Sequence, residues 1–318
     1  MSLRRYVIRR LLASIPVLFG VSVVTFGIIH LAPGNVVDIM MAANPDATEA
    51  DRVRLTAEYG FNDPLHVQYI DWMTGILQGD FGQTFRGQDS VSALIVRRLP
   101  ETLSLGLFGW VFAMLIAIPG GIYAAMNKNQ LGDDVSRFLA LSGISIPNFW
   151  LGLILIAVFA VQLDLFPTLD PQEPLLSPEM LWWLILPGIT VGTAASANLM
   201  RIMRTSMVEE MNKEYVTAAR AKGLPERTVV LKHVLRNSLI SVVTVAAFLT
   251  AGIISGSVVV EVVFGWPGLG ELLIESIQQR EVNLIMGITL IVGFAIVMAN
   301  LMADVIYALL DPRIRDDY

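Results

Sequence analysis

Six long apolar runs limit what this chain can fold into. Each holds about 20 residues or more, the length needed to cross the hydrocarbon core of a bilayer as a helix, and none contains Asp, Glu, Lys or Arg. The runs are Leu11–Val37, Thr102–Asn127, Phe138–Leu163, Met180–Met200, Ser238–Val260 and Val282–Ala303. Lipid offers no partner to an open backbone, so such runs must be helical. The sequence predicts an all-α integral membrane protein with six transmembrane helices.

The basic residues predict how these helices are oriented. The first run follows Arg4, Arg5, Arg9 and Arg10. It is too long for the apolar region of a signal peptide and ends without a cleavage pattern, which favours a retained helix. With a cytoplasmic N-terminus, most of the 22 Lys and Arg residues fall in cytoplasmic segments, as the charge rule for membrane proteins requires. Both termini are therefore expected in the cytoplasm, although Arg97 and Arg98 lie on the outer side.

Four regions follow from this topology. Residues 1–37 form the N-terminal segment and first transmembrane helix, and residues 38–99 form an extracytoplasmic loop region, with helices expected near 48–59 and 65–78 from their apolar spacing. Residues 100–310 form a five-helix core that carries the longest cytoplasmic loop, 201–236. Residues 311–318 form a cytoplasmic tail.

Several classes of function are excluded by what the chain lacks. There is no cysteine, and the net charge of −6 provides no basic surface for a nucleic acid. Of the three histidines, His30 and His233 are the candidate ligands, but the sequence shows no cluster of ligands around them, so no metal site is expected. No catalytic dyad is apparent, and no G-x-x-x-x-G-K-[ST] phosphate loop is present, so the chain is expected to bind no cofactor and to be no enzyme.

The main alternative is an ion-coupled secondary transporter for a small solute. Such carriers usually place an ionisable group near the middle of the membrane. The six runs contain only His30, close to the outer end of the first, while Glu261 and Asp304 border the fifth and sixth runs. This pattern disfavours ion coupling.

Proline and glycine mark the irregular parts of the bundle. Pro16, Pro119, Pro147 and Pro187 lie inside runs and predict kinks. Gly252 and Gly256 predict either a close-packing face or a face of small residues that lines a cavity. The stretch EVVFGWPGLGELL, 261–273, contains too many turn formers for a straight helix and predicts a turn followed by a short helix. Trp266 is expected at the depth of the lipid headgroups.

A basic, alanine-rich segment occupies the centre of the 201–236 loop. Asn212 is the expected N-cap of a short helix, Gly223 ends that helix and Pro225 begins another. One face of the helix carries Tyr215, Ala218, Ala219 and Lys222. Small methyl groups allow close approach of another surface, so this face is suited either to docking in a groove or to lying on the membrane or on its own bundle.

The residues of this loop resemble a known family. TAARAKG, 217–223, and HVLRN, 233–237, are similar to the EAA loop of binding-protein-dependent ABC transporter permeases of the dipeptide, oligopeptide and nickel type. The resemblance continues in GVSVVTFGIIHLAPGN, SIPNFWLG, VVVEVVFGWPGLG and ADVIYALLDPRIR. Thr217 replaces the glutamate of the general motif, and Glu271 stands where a basic residue is usual, which leaves the charge of the outer region open.

The resemblance implies a type I ABC importer permease fold in the plasma membrane of a prokaryote, importing di- or oligopeptides, with nickel chelates, glutathione and oligosaccharides as alternatives. It implies a second permease, two cytoplasmic ATPases that use ATP and Mg, an extracytoplasmic substrate-binding protein, and contact with membrane lipid. The residues implied in coupling to the ATPase are Glu214, Tyr215, Ala218, Ala219, Arg220, Lys222 and Gly223. Those implied in the outer gate or in contact with the binding protein are Phe264, Trp266, Pro267 and Gly268.

Overall fold

The computed structural model describes residues 3–31, 37, 41, 48–58, 62–85, 87, 89–167 and 177–310. Its helices are α1 (Leu3–Leu31), α2 (Glu49–Glu58), α3 (Leu65–Leu77), α4 (Val91–Met126), α5 (Leu131–Ser145), α6 (Asn148–Leu155), α7 (Pro178–Met211), α8 (Glu214–Ala221), α9 (Leu235–Phe264), α10 (Leu269–Gln279) and α11 (Val282–Leu310). A π-helical segment, Ile156–Gln162, continues α6. A single turn, Glu226–Thr228, and π-helical Val229–Val234 lead into α9.

Five of these helical stretches are long and apolar enough to cross a membrane. They are Arg5–Gly27 within α1, then α4, α7, the continuous stretch Glu226–Phe264, and α11. A sixth crossing requires α5 and α6 to be counted together, although the two are bent by 104°. In the described residues the fold is thus all-α, and its only extended pairing is an isolated bridge between Gln83 and Ser90.

The run 138–163 was expected as one span and is instead a broken pair of helices. Ile146 and Pro147 both have extended backbone angles, with ψ of 123° and 135°. A residue before proline is pushed out of the helical region, so the helix ends there. The other three prolines predicted to kink their runs lie inside continuous helices. Of these four prolines, only Pro147, which follows an extended residue, separates two helices.

Close backbone contact joins α4 and α7 at the centre of the bundle. A Cβ added to Gly192 would lie 2.4 Å from the carbonyl oxygen of Gly109, and one added to Gly121 would lie 2.5 Å from the Cβ of Met203. Small residues permit such approach between apolar helices, where dispersion rather than water exclusion drives packing. The two helices therefore form a closely packed centre of the bundle.

One end of the bundle gathers the start of α1, the end of α11 and α8. Arg10 of α1 forms an ion pair of 3.0 Å with Asp304 of α11. Tyr215 of α8 and Leu310, the last residue of α11, line the same pocket. The start of the first described helix and the end of the last therefore lie on the same side as the 212–234 connection.

The opposite end gathers the connections that were expected outside the cell. The amide of Phe85 donates a hydrogen bond of 2.7 Å to the carboxylate of Glu281, and Trp182 donates one of 2.9 Å to the carbonyl of Leu165. Near this end α3 lies against α1, with the hydroxyls of Tyr69 and Ser22 2.7 Å apart.

Helices α2 and α3 match the two helices expected in the first outer loop. The tail 311–318, residues 168–176 of the second outer loop and the side chain of His30 lie outside the described residues.

Candidate functional site

Helix α8 begins at Glu214, one residue later than a cap at Asn212 would place it. Lys213 is the N-cap residue, with φ −74° and ψ 148°, while Asn212 closes α7. The Asn212 amide donates a hydrogen bond of 2.8 Å to the carbonyl of Val208, so it stabilises the end of the preceding helix. The expectation that Asn212 caps α8 is wrong. Glu214 does lie in the first turn, where a carboxylate complements the helix dipole.

Gly223 ends α8 in the left-handed region, with φ +76°. The amide of Leu224 donates to the carbonyl of Ala219 at 3.4 Å, and that of Gly223 to the carbonyl of Arg220 at 2.9 Å. These two bonds are those of a Schellman C-cap, which requires a residue with positive φ at the position of Gly223. No heavy atom lies within 4 Å of a Cβ added there, so the backbone, and not a neighbouring group, selects glycine.

One face of α8 is buried against the bundle. Val216 is completely buried and Ala219 is 7% exposed. Both belong to the same apolar cluster as Met203 and Met207 of α7. Ala219, which the sequence assigned to the docking face, therefore faces inward and holds α8 on its own chain. The sequence pattern did not separate it from its neighbour Ala218, because both are alanines on adjacent positions.

The other face of α8 is free in this chain. The exposed predicted residues are Glu214, Tyr215, Ala218, Arg220, Lys222 and Gly223. This face presents a methyl group between a phenol and charged side chains, with no other described element over it. It is a surface of about two helical turns that a partner can approach closely.

Tyr215 ties α8 to both neighbouring helices. Its hydroxyl donates to the carboxylate of Glu210 at the end of α7 and accepts a hydrogen bond of 2.9 Å from the amide of Asn237 in α9. Burial, followed by the nearby Glu210 carboxylate, raises the pKa of the Tyr215 hydroxyl. The phenol therefore stays protonated and keeps its role as donor at neutral pH.

Arg220 connects α8 to the turn that follows Gly223. Its Nε lies 3.1 Å and its Nη2 2.6 Å from the two carboxylate oxygens of Glu226. The hydrogen bond to Glu226 raises the pKa of the Arg220 guanidinium. Such a two-point contact fixes the direction of the chain across the glycine. Tyr215, Arg220 and the buried face therefore join α8 to the chain segments on both sides of it.

At the opposite end of the bundle the chain turns between α9 and α10, as the sequence predicted. Gly265 has φ +62° and α10 begins at Leu269. Trp266 was expected at headgroup depth, but it is completely buried, with its ring centroid 4.8 Å from that of Trp183. Its indole N–H donates a hydrogen bond of 2.9 Å to the carbonyl of Glu101. The turn carries the side chain back between α4 and α7, so it is not a residue of the lipid interface.

The rest of the turn is held by side chains that the sequence reasoning missed. The backbone amide of Gly270 donates a hydrogen bond of 2.6 Å to the carboxylate of Glu261. The backbone amide of Leu269 donates one of 2.7 Å to the hydroxyl of Thr102. A Cβ added to Gly268 would lie within 2.6 Å of both acceptors. Phe264 is buried, whereas Pro267 is partly exposed. The available signal was a single acidic residue inside the apolar stretch VVVEVV.

The structure corrects the view that the spans lack buried carboxylates. Glu261 and Asp133 are completely buried and Glu281 is 3% exposed. Each is engaged with its own chain: Glu261 with α10, Glu281 with Phe85, and Asp133 with Arg204 of α7 at 2.5 Å. Glu271, whose charge was left open, lies 3.8 Å from Arg98. In the described part of the chain no cluster of His, Asp or Glu is arranged to hold a metal ion.

The model of a family described as "Binding-protein-dependent transport system inner membrane component" matches residues 117–316. A second model, for the N-terminal part of such membrane components, matches residues 3–106. The chain belongs to this family. The two matches together cover nearly the whole sequence, so the family resemblance of the loop and turn motifs is confirmed. The protein is a multi-pass inner-membrane permease subunit, and ATP hydrolysis lies in partner subunits of the family's transporters.

Curated relatives match over almost their whole length. The oligopeptide transport system permease protein AppB of Bacillus subtilis (strain 168) is 42% identical over 315 residues, covering 97% of this chain and 98% of that protein. The glutathione transport system permease protein GsiC of Escherichia coli (strain K12) is 39% identical over 311 residues, covering 98% of each.

Solved structures share the fold at low identity. One inward-facing structure of the MetNI methionine ABC transporter matches with a TM-score of 0.56 and 17% identity, covering 69% of this chain and 96% of the other. An amino acid ABC transporter matches with a TM-score of 0.54 and 15% identity, covering 68% and 94%. These similarities support an importer permease fold for most of the chain.

Proposed function

We propose that this chain is the permease subunit of an ATP-driven importer of di- or oligopeptides and forms half of the translocation pore. The observation that carries the proposal is α8: a short helix fixed to the bundle on one face, free on the other, and ended by a glycine with positive φ. One relative is named for oligopeptide transport and another for glutathione transport, and both names support peptides as the substrate class.

The proposed topology has six crossings with both termini in the cytoplasm. The bent pair α5 and α6 makes the sixth crossing, and the pairing of Arg10 with Asp304 supports termini on one side. The excess of Lys and Arg on that side supports its assignment to the cytoplasm. The free face of α8 is then directed at cytoplasmic partners.

The proposed assembly contains a second permease, two ATPases that bind ATP and Mg, and an extracytoplasmic binding protein. Closure of the ATPase pair around nucleotide would draw the two α8 helices together. Because α8 is joined to both α7 and α9, the movement would pass to the spans as a rigid-body rotation. The pore would then alternate between inward-open and outward-open states, and the binding protein would set the direction of transport by loading from outside.

The turn at the opposite end is proposed as the outer gate. The buried residues Phe264, Trp266 and Gly268 would hold the gate in shape, because they fix the position of α10 relative to α9. The partly exposed Pro267 would be accessible to the binding protein. An ion-coupled carrier has weaker support, since the buried carboxylates are engaged in holding helices together.

Gly223→Val tests the proposal in the complete transporter reconstituted in vesicles. A β-branched residue at positive φ costs about 1–2 kcal/mol, so the cap of α8 should deform. We expect peptide import to fall about tenfold or more while basal ATP hydrolysis continues. One kcal/mol corresponds to roughly a fivefold change in an equilibrium constant, and the C-terminal cap geometry of α8 is lost as well. Import by an ion gradient without ATP would instead support the carrier.

Gly79→Val is the matched control. Gly79 also has positive φ, +84°, and also has no heavy atom within 4 Å of an added Cβ, but it lies after α3 at the other end of the bundle. It should strain the backbone equally and leave import near the wild-type rate. Normal import by Gly223→Val would show that the docking assignment of α8 is wrong. Equal loss in both variants would attribute the effect to strain alone.

A further inference from the structure

A cleft separate from α8 and from the outer turn lies between the ends of α4, α5 and α7. It has a volume of about 590 Å³ and is lined by Ala124 of α4, by seven residues of α5 between Asp134 and Ile144, and by Met200, Arg201 and Arg204 of α7. These are the ends of the helices on the side that carries α8. The cleft therefore opens at the boundary where apolar spans meet the basic side of the bundle.

A buried ion pair fixes one wall of this cleft. Arg204 makes a two-point contact with Asp133, with Nε–Oδ1 and Nη2–Oδ2 distances of 2.5 and 2.6 Å. Asp133 is completely buried, and its Oδ2 also accepts from the amide of Asn129. The aspartate is thus satisfied by its own chain. Arg204 also lines the cleft, and its side chain is 21% exposed.

Two further arginines at the cleft are only weakly neutralised. Arg201 is exposed and has no acidic partner among the described residues. Arg137 approaches Asp134 at 3.7 Å, with 64% of its side chain exposed, so this surface pair is loose. With Asp133 and Arg204 compensating each other, the cleft keeps two positive charges against the single negative charge of Asp134. One excess positive charge remains for a ligand.

The other part of the cleft is apolar. Phe138, Leu141 and Ile144 follow one another along α5 at intervals of three residues and line the same space as the arginines. Phe138 and Leu141 are 69% and 65% exposed. The site therefore presents a positively charged end joined to an apolar strip that runs along the helix toward the middle of the span.

We propose that this cleft binds one anionic phospholipid. Its phosphodiester would lie between Arg137, Arg201 and Arg204, and an acyl chain would follow Phe138, Leu141 and Ile144. An acidic peptide would match the charge but not the apolar strip, and an uncharged lipid would match only the strip. Basic pockets between transmembrane helices are suited to such headgroups. The choice of the cytoplasmic leaflet rests on the proposed orientation, but the site itself does not.

The test uses the full-length chain, purified with the subunits that accompany it, and a photoreactive phosphatidylglycerol in detergent micelles. We expect labelling of peptides from 134–144 and 200–204. Unlabelled phosphatidylglycerol should compete, whereas phosphatidylcholine and glycerol phosphate should not. Arg201→Gln should reduce labelling about fivefold, the factor that one basic group near an anionic headgroup supplies, and Arg201→Lys should retain most of it.

Lys128→Gln is the matched control, because Lys128 is an exposed basic residue on the same side, beyond the end of α4, and does not line the cleft. It should leave labelling unchanged. Equal labelling of Arg201→Gln and wild type, equal competition by phosphatidylcholine, or competition by glycerol phosphate would overturn the proposal. So would a crosslink from Arg201→Cys to a second permease that excludes the lipid. The assay needs neither ATP nor peptide, so its failure would leave the proposed transport function standing.

Discussion

Single buried residues in this protein carry specific contacts that join distant parts of the chain. Trp266 is the clearest case, because its ring fills the space beside Trp183 and its N–H satisfies the carbonyl of Glu101, 165 residues away in sequence. Asp133 does the same at the other end through Arg204. In both cases the polar atom is buried, so losing its partner costs more than the contact itself contributes.

Trp266→Phe should destabilise the protein by about 2 kcal/mol, from one lost hydrogen bond and a partly filled cavity. Thermal unfolding of the purified transporter would measure the change. Trp150→Phe is the control: Trp150 is 48% exposed and should cost little. Equal losses for the two variants would contradict the burial of Trp266.

The Asp133–Arg204 pair predicts an asymmetric result. Arg204→Leu leaves a buried carboxylate without a cation and should cost about 3–5 kcal/mol. Asp133→Leu should cost less, because Arg204 is 21% exposed and its long side chain can reach the aqueous boundary. The double variant should be more stable than Arg204→Leu alone. Arg137→Leu, from the loose surface pair, should leave the unfolding temperature unchanged in lipid-free detergent. Equal costs for the two single variants would argue against the burial asymmetry.

At the scale of elements, α8 has two faces with different tasks. Val216 and Ala219 hold it on the bundle, while Ala218 remains exposed on the opposite face. The sequence predicted the helix, its glycine terminator and most of its exposed residues, because capping and spacing are local properties. The sequence could not show which of Ala218 and Ala219 is buried. The rotation of a short helix about its own axis is fixed only by its packing against α7 and against the segment before α9.

These neighbouring alanines provide a direct test of docking. The natural chain has no cysteine, so Ala218→Cys and Ala219→Cys each create one thiol. With a short bifunctional crosslinker, Ala218→Cys should form a product with an ATPase subunit in the assembled transporter, and Ala219→Cys should not. Crosslinking of both, or of neither, would be incompatible with the proposed orientation of α8.

The connections between the helices lie at two opposite ends of the molecule. One end gathers the start of α1, the 127–130 turn, α8 and the end of α11, and the other gathers the 79–85 segment and the α9–α10 turn. This alternation is what six crossings would produce if α5 and α6 make one of them together.

Single-cysteine labelling in intact cells would test the orientation. Gln279→Cys, exposed at the end of α10, should react with a membrane-impermeant maleimide from outside. Lys128→Cys, exposed between α4 and α5, should react only after the membrane is opened. Labelling of both from outside would show that the number of crossings between them is even, and the reverse pattern would place the termini outside.

The sequence by itself determined the membrane class, the positions of five spans, the turn after α9 and the capped helix α8. These follow from local causes: apolar length, backbone dihedral preferences and hydrogen bonding within a few residues. Only the tertiary structure decided that the third run breaks into two helices, that Trp266 and Ala219 face inward, and that Glu261 and Asp133 are buried. Those outcomes depend on which distant groups are brought within a few ångströms, and the cost of burying a polar atom is set by the partner that the fold supplies.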